Sequence, residues 1–286
     1  MITAVNLVSR IKSLPPLSTT VVHLMEVLKR DDTTPAQLER LVNQDPALTA
    51  NLLRIANSAY YRGTRPVPSA RAAIVRLGSR GVYEIAVGLS FRKTLPTRIP
   101  GYEIESEAFI RHGVAVGVLT ERLAREVRGV DRDVAFTMGL LHDLGKLVVG
   151  VFLAEEKQRA NAFLLDQNVS FEEMEAEILG TDHCEVGHEI ARQWRLPAEV
   201  AIAARWHHSP MAAPDPGAQR LASLVHVADA MAHLFGYGED AGDMRRRVDG
   251  AVPDLLGLSE DQLAAIAGST VESIDEFARA LNSATA

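Results

Sequence analysis

Helix start and stop signals recur at short intervals along this chain, and they restrict it to a succession of short packed helices. Thr34-Pro35-Ala36-Gln37 is one start, with threonine as N-cap, proline in the first turn and glutamine three residues on. Asp45-Pro46 opens another helix in the same way. Ser170-Phe171-Glu172-Glu173 has the reciprocal capping pattern, and Asp182-His183-Cys184-Glu185 has the same shape. Apolar residues follow at three- and four-residue steps, as in Val21, Leu24, Met25 and Leu28, or Leu48, Leu52, Leu53 and Ile55. Ser69 caps a helix over 70–77 that Gly78 stops, and Ser79 opens the next, which runs to about Leu95. Leu14-Pro15-Pro16-Leu17 reads as an extended entry, because each proline disfavours helix at the residue before it. No strand pattern competes along this N-terminal stretch. Aromatic residues make up only 5% of the chain, so the core must be Leu, Val, Ile and Ala, which favours helix packing.

The second half continues the pattern. Pro96 to Gly101 is the natural boundary, and a long helix from Glu105 to Arg128 follows it, with Phe109, Val116, Leu119 and Leu123 on one face. Asp131 or Asp133 caps a helix leading to His142-Asp143, and another runs from Val148 to about Leu165. The helix opened by Asp182 is broken at Leu196-Pro197, and Ala198 to Trp206 leads into His207-His208. Met211 to Gly217 reads as a loop before an amphipathic helix from Arg220 to Phe235, ended by Gly236-Tyr237-Gly238. The tail holds at least two further helices, the first opened by Ser259. It is either a packing extension of the second subdomain or a dimerisation element. The expected architecture is all-α, in two packed helical subdomains. Residues 1–96 form the N-terminal one, 97–238 the one that carries the chemistry, and 239–286 a C-terminal helical extension.

The chemistry centres on His142-Asp143, the one His-Asp doublet in the chain. An imidazole and a carboxylate on adjacent residues are ligands that a small divalent metal uses. The doublet equally fits a core turn in which the two side chains satisfy each other. Gly139 to Leu141 reads as a buried helix end, Gly145 lets backbone pack close, and Lys146 sets a cation beside the doublet. Asp229 is a carboxylate on a helix that otherwise reads apolar, through Leu221, Leu224, Val225, Val227 and Ala228. Cys184, His188, His226 and His233 read as structural and His23 as a surface residue. The loop around Tyr60, Tyr61, Arg62 and Arg65 is a candidate protein-binding surface, or else its aromatics pack into the core.

Charge and cysteine usage bound the setting. A formal net charge of -7 argues against a general nucleic-acid coat. The single cysteine cannot form an internal disulfide, Met1 to Asn6 lacks the form of a signal peptide, and no window has the length of a membrane span. The expectation is a cytoplasmic protein with no nucleic-acid or membrane partner.

Four stretches, in order, carry a resemblance: Leu14-Pro15-Pro16-Leu17, Asp45-Pro46-Ala47-Leu48-Thr49, the run from Leu53 to Tyr61, and Ala73-Ile74-Val75-Arg76-Leu77-Gly78. Together they resemble the HDOD family, from about Leu14 to Pro210. These are bacterial regulatory relatives of the HD-domain phosphohydrolases. The resemblance implies an HDOD/HD-domain-like fold and a role in signal transduction through a signalling protein partner. Similarity to HD hydrolases implies metal ligation by His112, by His142 and Asp143, and by Asp229. Similarity to the HD-GYP branch adds His183, with Gly187 after it, and the pair His207 and His208. Asp143 would then bridge one or two divalent transition metals, Fe, Mn, Zn or Ni. If the chain is an enzyme, Asp143 and Lys146 would be its catalytic residues and a nucleotide or other phosphate ester its ligand. One departure matters: the chain continues Ser209-Pro210-Met211-Ala212, without the acidic residue and the Gly-Tyr-Pro signature of HD-GYP enzymes. That favours a regulatory module, with a metal-dependent phosphohydrolase as the alternative.

Overall fold

Each start signal becomes a helix. The structure is a computed structural model and describes residues 4–10, 19–28, 33–58, 61, 65–164, 169–238 and 250–282. Its helices are α1 (Ala4–Arg10), α2 (Thr19–Leu28), α3 (Pro35–Asn43), α4 (Pro46–Ala56) and α5 (Ala70–Thr94). After them come α6 (Ser106–Glu126), α7 (Arg132–Leu140), α8 (Lys146–Glu155), α9 (Lys157–Leu164) and α10 (Phe171–Leu179). The series ends with α11 (His183–Gln193), α12 (Ala198–Trp206), α13 (Pro216–Leu234), α14 (Val252–Leu256) and α15 (Glu260–Asn282). Among the described residues the only sheet is an antiparallel pair, β1 (Arg98–Ile99) and β2 (Ile104–Glu105), with Arg98 opposite Glu105. The fold class is all-α.

The caps explain where the helices begin. Thr34 and Gln37 make the reciprocal capping box of α3, and Ser170 and Glu173 make that of α10. Asp45 accepts from Leu48 N at the start of α4, and Asp182 accepts from Glu185 N at the start of α11. The Glu185 side chain does not close the box; it bonds Thr181 and Arg205. Two expectations change. The helix expected from Val148 to Leu165 is two helices, α8 and α9, interrupted at Glu156. The helix expected from Arg220 starts at Pro216, because Asp215 caps it by accepting from Gly217 N and Ala218 N. The entry Leu14 to Leu17 lies outside the described residues, as do Tyr60, Arg62 and Gly63 of the candidate partner loop. Tyr61 meets Phe277 edge to face at 6.2 Å.

The chain divides into two compact units. One is 15–94 with 272–286. Here α2, α3 and α4 pack on α5, which bends where Gly78 takes φ 71°. The end of α15 joins them: Arg54 bonds the carbonyl of Ala280, and Leu281 packs against Gly88. The other unit is 1–14 with 95–271, in which α6 packs on α7 and α13, α12 on α11 and α13, and α1 on α11. The tail thus contributes to both units.

Close backbone approach positions the second unit's chemistry. A Cβ on Gly139 would stand 2.5 Å from Val116 O and 2.7 Å from Gly117 Cα, so only glycine lets α7 close on α6. A Cβ on Gly145 would stand 1.9 Å from His183 O, which fixes how the α7–α8 turn meets α11. Gly139→Ala is therefore expected to destabilise by about 2–3 kcal/mol, since main-chain atoms cannot give way. Gly78→Ala should lose about 1–3 kcal/mol from backbone strain alone, because φ 71° with ψ 168° is a conformation that essentially only glycine adopts, although a Cβ there meets nothing within 4 Å. Denaturant unfolding of both variants checks this, and a Gly139→Ala protein as stable as the parent would contradict the close contact.

Candidate metal centre

The residues that the resemblance picks out converge on one buried cluster within the 95–271 unit. His112 comes from α6, His142 and Asp143 from the α7–α8 turn, and Lys146 from the first turn of α8. His183 begins α11, His207 and His208 follow α12, and Asp229 lies mid-way along α13. All but His208 are at most 3% exposed; the His208 side chain is 14% exposed.

Asp143 stands between two groups. Its Oδ2 lies 3.3 Å from His142 Nε2, 4.0 Å from His112 Nε2 and 2.7 Å from Lys146 Nζ. Its Oδ1 lies 3.4 Å from both His183 Nε2 and His207 Nε2. Asp229 Oδ1 completes the first group, 3.2 Å from His112 Nε2 and 3.8 Å from His142 Nε2. His208 completes the second, with its Nε2 3.1 Å from His183 Nε2 and 2.7 Å from Glu172 Oε1.

The outer nitrogens fix the inner ones. A carbonyl oxygen only accepts, so an imidazole nitrogen bonded to one must carry the proton. His112 Nδ1 donates to Tyr237 O at 3.0 Å, and His142 Nδ1 donates to Gly139 O at 2.7 Å. His207 Nδ1 donates to Ala203 O and Ala204 O at 3.2 and 3.1 Å. In a neutral ring the Nε2 of His112 and that of His207 are then lone pairs aimed at the carboxylates. Burial pushes His112 below the usual histidine range and His207 down to about 4, which keeps both neutral. Burial alone would raise the Asp143 carboxyl, but His142 and Lys146 outweigh it and hold it well below the usual range.

His183 differs. Its Nδ1 meets Glu175 Oε2 at 2.8 Å, and Glu175, fully buried, also accepts from His183 N at 2.7 Å and from the Tyr102 hydroxyl at 2.5 Å. Burial opposes charge on His183, yet Cys184 and Glu175 outweigh it and raise its pKa well above the usual value. A cation entering on that side must displace a proton. Burial pushes the Cys184 thiol up to about 11, against the lowering effect of His183 beside it.

Such a set of inward lone pairs and carboxylates requires positive charge. Nε2 of His142 and Nε2 of His207 have no hydrogen-bond partner of good geometry. Lys146 supplies one cation, with its Nζ also 5.7 Å from the centre of the Tyr102 ring. The remaining imidazole and carboxylate donors are of the types that divalent transition ions take. The cluster is able to bind metal. The ligand groupings within 4.8 Å also include two residues that read as structural in the sequence, Cys184 and His233. His233 follows Asp229 at four-residue spacing, the one signal that could have marked it. Glu175 was legible only as a carboxylate sharing a helix face with Phe171 and Leu179. The Nδ1 atoms of His188 and His226 meet Ala201 O and His207 O.

With this geometry established, comparison with known proteins places the chain. The family model for the HDOD domain matches residues 14–210. An HDOD domain protein from Geobacter sulfurreducens superposes with a TM-score of 0.77 at 23% identity, over 98% of this chain and 96% of that one. A candidate signal transduction protein from Marinobacter aquaeolei VT8 gives 0.77 at 24% identity, over 94% and 60%. A candidate phosphohydrolase from Shewanella amazonensis SB2B gives 0.75 at 24% identity, over 96% and 97%. At these identities the likeness is one of fold. The chain spans less than half the length of the curated relatives it matches. It is 24% identical to a Treponema pallidum (strain Nichols) protein over 74% of this chain and 41% of that one. It is 32% identical to ribonuclease Y of Deinococcus radiodurans over 44% of this chain and 16% of that one. No helix among the described residues is long and apolar enough to cross a membrane. By its matched motifs and its helical architecture, the chain belongs to the HDOD domain family.

Proposed function

We propose that this chain is a cytoplasmic regulatory module of bacterial signal transduction that binds one or two divalent transition ions (Fe, Mn, Zn or Ni) and acts through a protein partner. The observation that carries the metal reading is the placement of Asp143. Its two oxygens face two separate histidine groups, as a bridging carboxylate requires, and those imidazoles are held with Nε2 inward. His112, His142 and Asp229 would hold one ion, and His183, His207 and His208 the other. The signalling role draws on membership of the HDOD family and on the fold shared with a candidate signal transduction protein.

The second reading is a metal-dependent phosphohydrolase acting on a nucleotide or other phosphate ester. The closeness of Lys146 Nζ to Asp143, 2.7 Å, favours it, because such a lysine balances charge beside the reacting group. A bound divalent ion would supply Lewis acidity there. Asp143 would orient and bridge, and Lys146 would hold the developing charge. The match to ribonuclease Y adds RNA phosphodiesters to the substrates worth testing.

Metal analysis tests what the two readings share, and a turnover assay separates them. Protein purified without added metal is expected to carry transition metal by elemental analysis, and Asp143→Ala to lose most of it. Glu175→Gln should weaken the ion on the His183 side about ten- to a hundredfold and spare the other, since Glu175 orients His183. Trace metal only in the parent, with Asp143→Ala unfolding like it, would reduce the cluster to a polar core. Nucleotide phosphodiesters and short RNAs are expected to survive incubation with the metal-loaded protein. Turnover that vanishes in both His142→Ala and Asp143→Ala would instead establish the hydrolase.

A further inference from the structure

α13 carries Asp229 and, one turn later, His233 on the same face. The His233 side chain is 8% exposed, and its Nε2 stands 3.2 Å from Asp229 Oδ1. His112 Nε2 stands at the same distance from the same oxygen, and the two imidazole rings are 4.9 Å apart. Donor atoms of His112, Asp229 and His233 therefore lie within 4.8 Å of one another.

The turn after α13 sets both rings. Tyr237 O accepts from His112 Nδ1 at 3.0 Å. Gly238 backs against the other ring, where a Cβ would stand 2.5 Å from His233 Nδ1. With Nδ1 bonded to the Tyr237 carbonyl, His112 turns its Nε2 toward Asp229 Oδ1, 3.2 Å away. His233 brings a second imidazole to that same oxygen. Two histidines and one carboxylate around a point are a donor set typical of transition-metal sites.

We propose that His233 is a ligand of the ion held by His112 and Asp229, in addition to the family's set of His112, His142, Asp143 and Asp229. This assignment rests on metal binding at the cluster, as proposed above. It also bears on function. With His233 bound, an octahedral ion has fewer positions left for water and substrate, and catalytic metal sites keep such positions open. His233 thus turns the first site toward a structural or sensory role.

The test uses the whole chain, stripped with a chelator and titrated with Mn2+, followed by electron paramagnetic resonance and water-proton relaxation. His233→Ala and the bulkier His233→Gln are compared with the parent. Both variants should bind one ion at least about tenfold more weakly. The ion that remains in that site at saturation should show added exchangeable water. Their metal-free melting temperatures should match the parent's, which separates ligation from packing, and the glutamine variant decides if the alanine variant does not fold. Unchanged affinity with an unchanged water count would overturn the assignment and leave His233 as a packing neighbour of Asp229 and His112. A parent that takes up no Mn2+ would remove the metal reading and this ligand with it.

Discussion

A carboxylate buried as deeply as Asp143 is tenable only where positive charge or hydrogen-bond donors meet it, because leaving it unpaired costs several kcal/mol. Lys146 meets one oxygen at 2.7 Å, and imidazoles surround both. The packing of the 95–271 unit follows from that need. α6 must come close enough to α7 to deliver His112, which Gly139 permits. α11 must come close enough to the α7–α8 turn to deliver His183, which Gly145 permits. Two helix contacts that look like ordinary close packing are the means by which one buried anion finds its partners.

Much of this was legible in the sequence, wherever the signal is local. Capping boxes at Thr34 and Ser170 are short-range chemistry and survive in the fold unchanged. Gly78 stops one helix and Ser79 opens another because the bend needs a positive φ that glycine supplies. Asp229 stood out as a carboxylate on an apolar helix. What stayed hidden depends on distant neighbours. Glu175 sits among other glutamates, Glu172, Glu173 and Glu177, so composition alone reads it as solvated, and only the approach of His183 and Tyr102 gives it work. His233 resembles any helical histidine until Asp229 and His112 are seen beside it. The interruption at Glu156 and the division of α15 between two units carry no periodic signature at all.

Family membership fixes the fold more tightly than the activity, since one fold hosts many functions. The stretch after the histidine pair makes this concrete. Where HD-GYP enzymes carry their signature, Pro210–Ala212 forms a short 3-10 turn that leads into the cap of α13. The same helices and nearly the same donors can hold a working ion or a quiescent one. On the proposed assignment of His233, the difference would lie in how many coordination positions the protein keeps for itself.

The way the imidazoles are anchored has an evolutionary consequence. His112, His142 and His207 are steered by main-chain carbonyls of Tyr237, Gly139, Ala203 and Ala204, which no side-chain substitution removes. His183 is steered by the Glu175 side chain, which a single codon change can delete. The anchoring of His112, His142 and His207 is therefore buffered against mutation, while that of His183 is open to it. A lineage can retune His183 in one step, so divergence within such a scaffold should begin there.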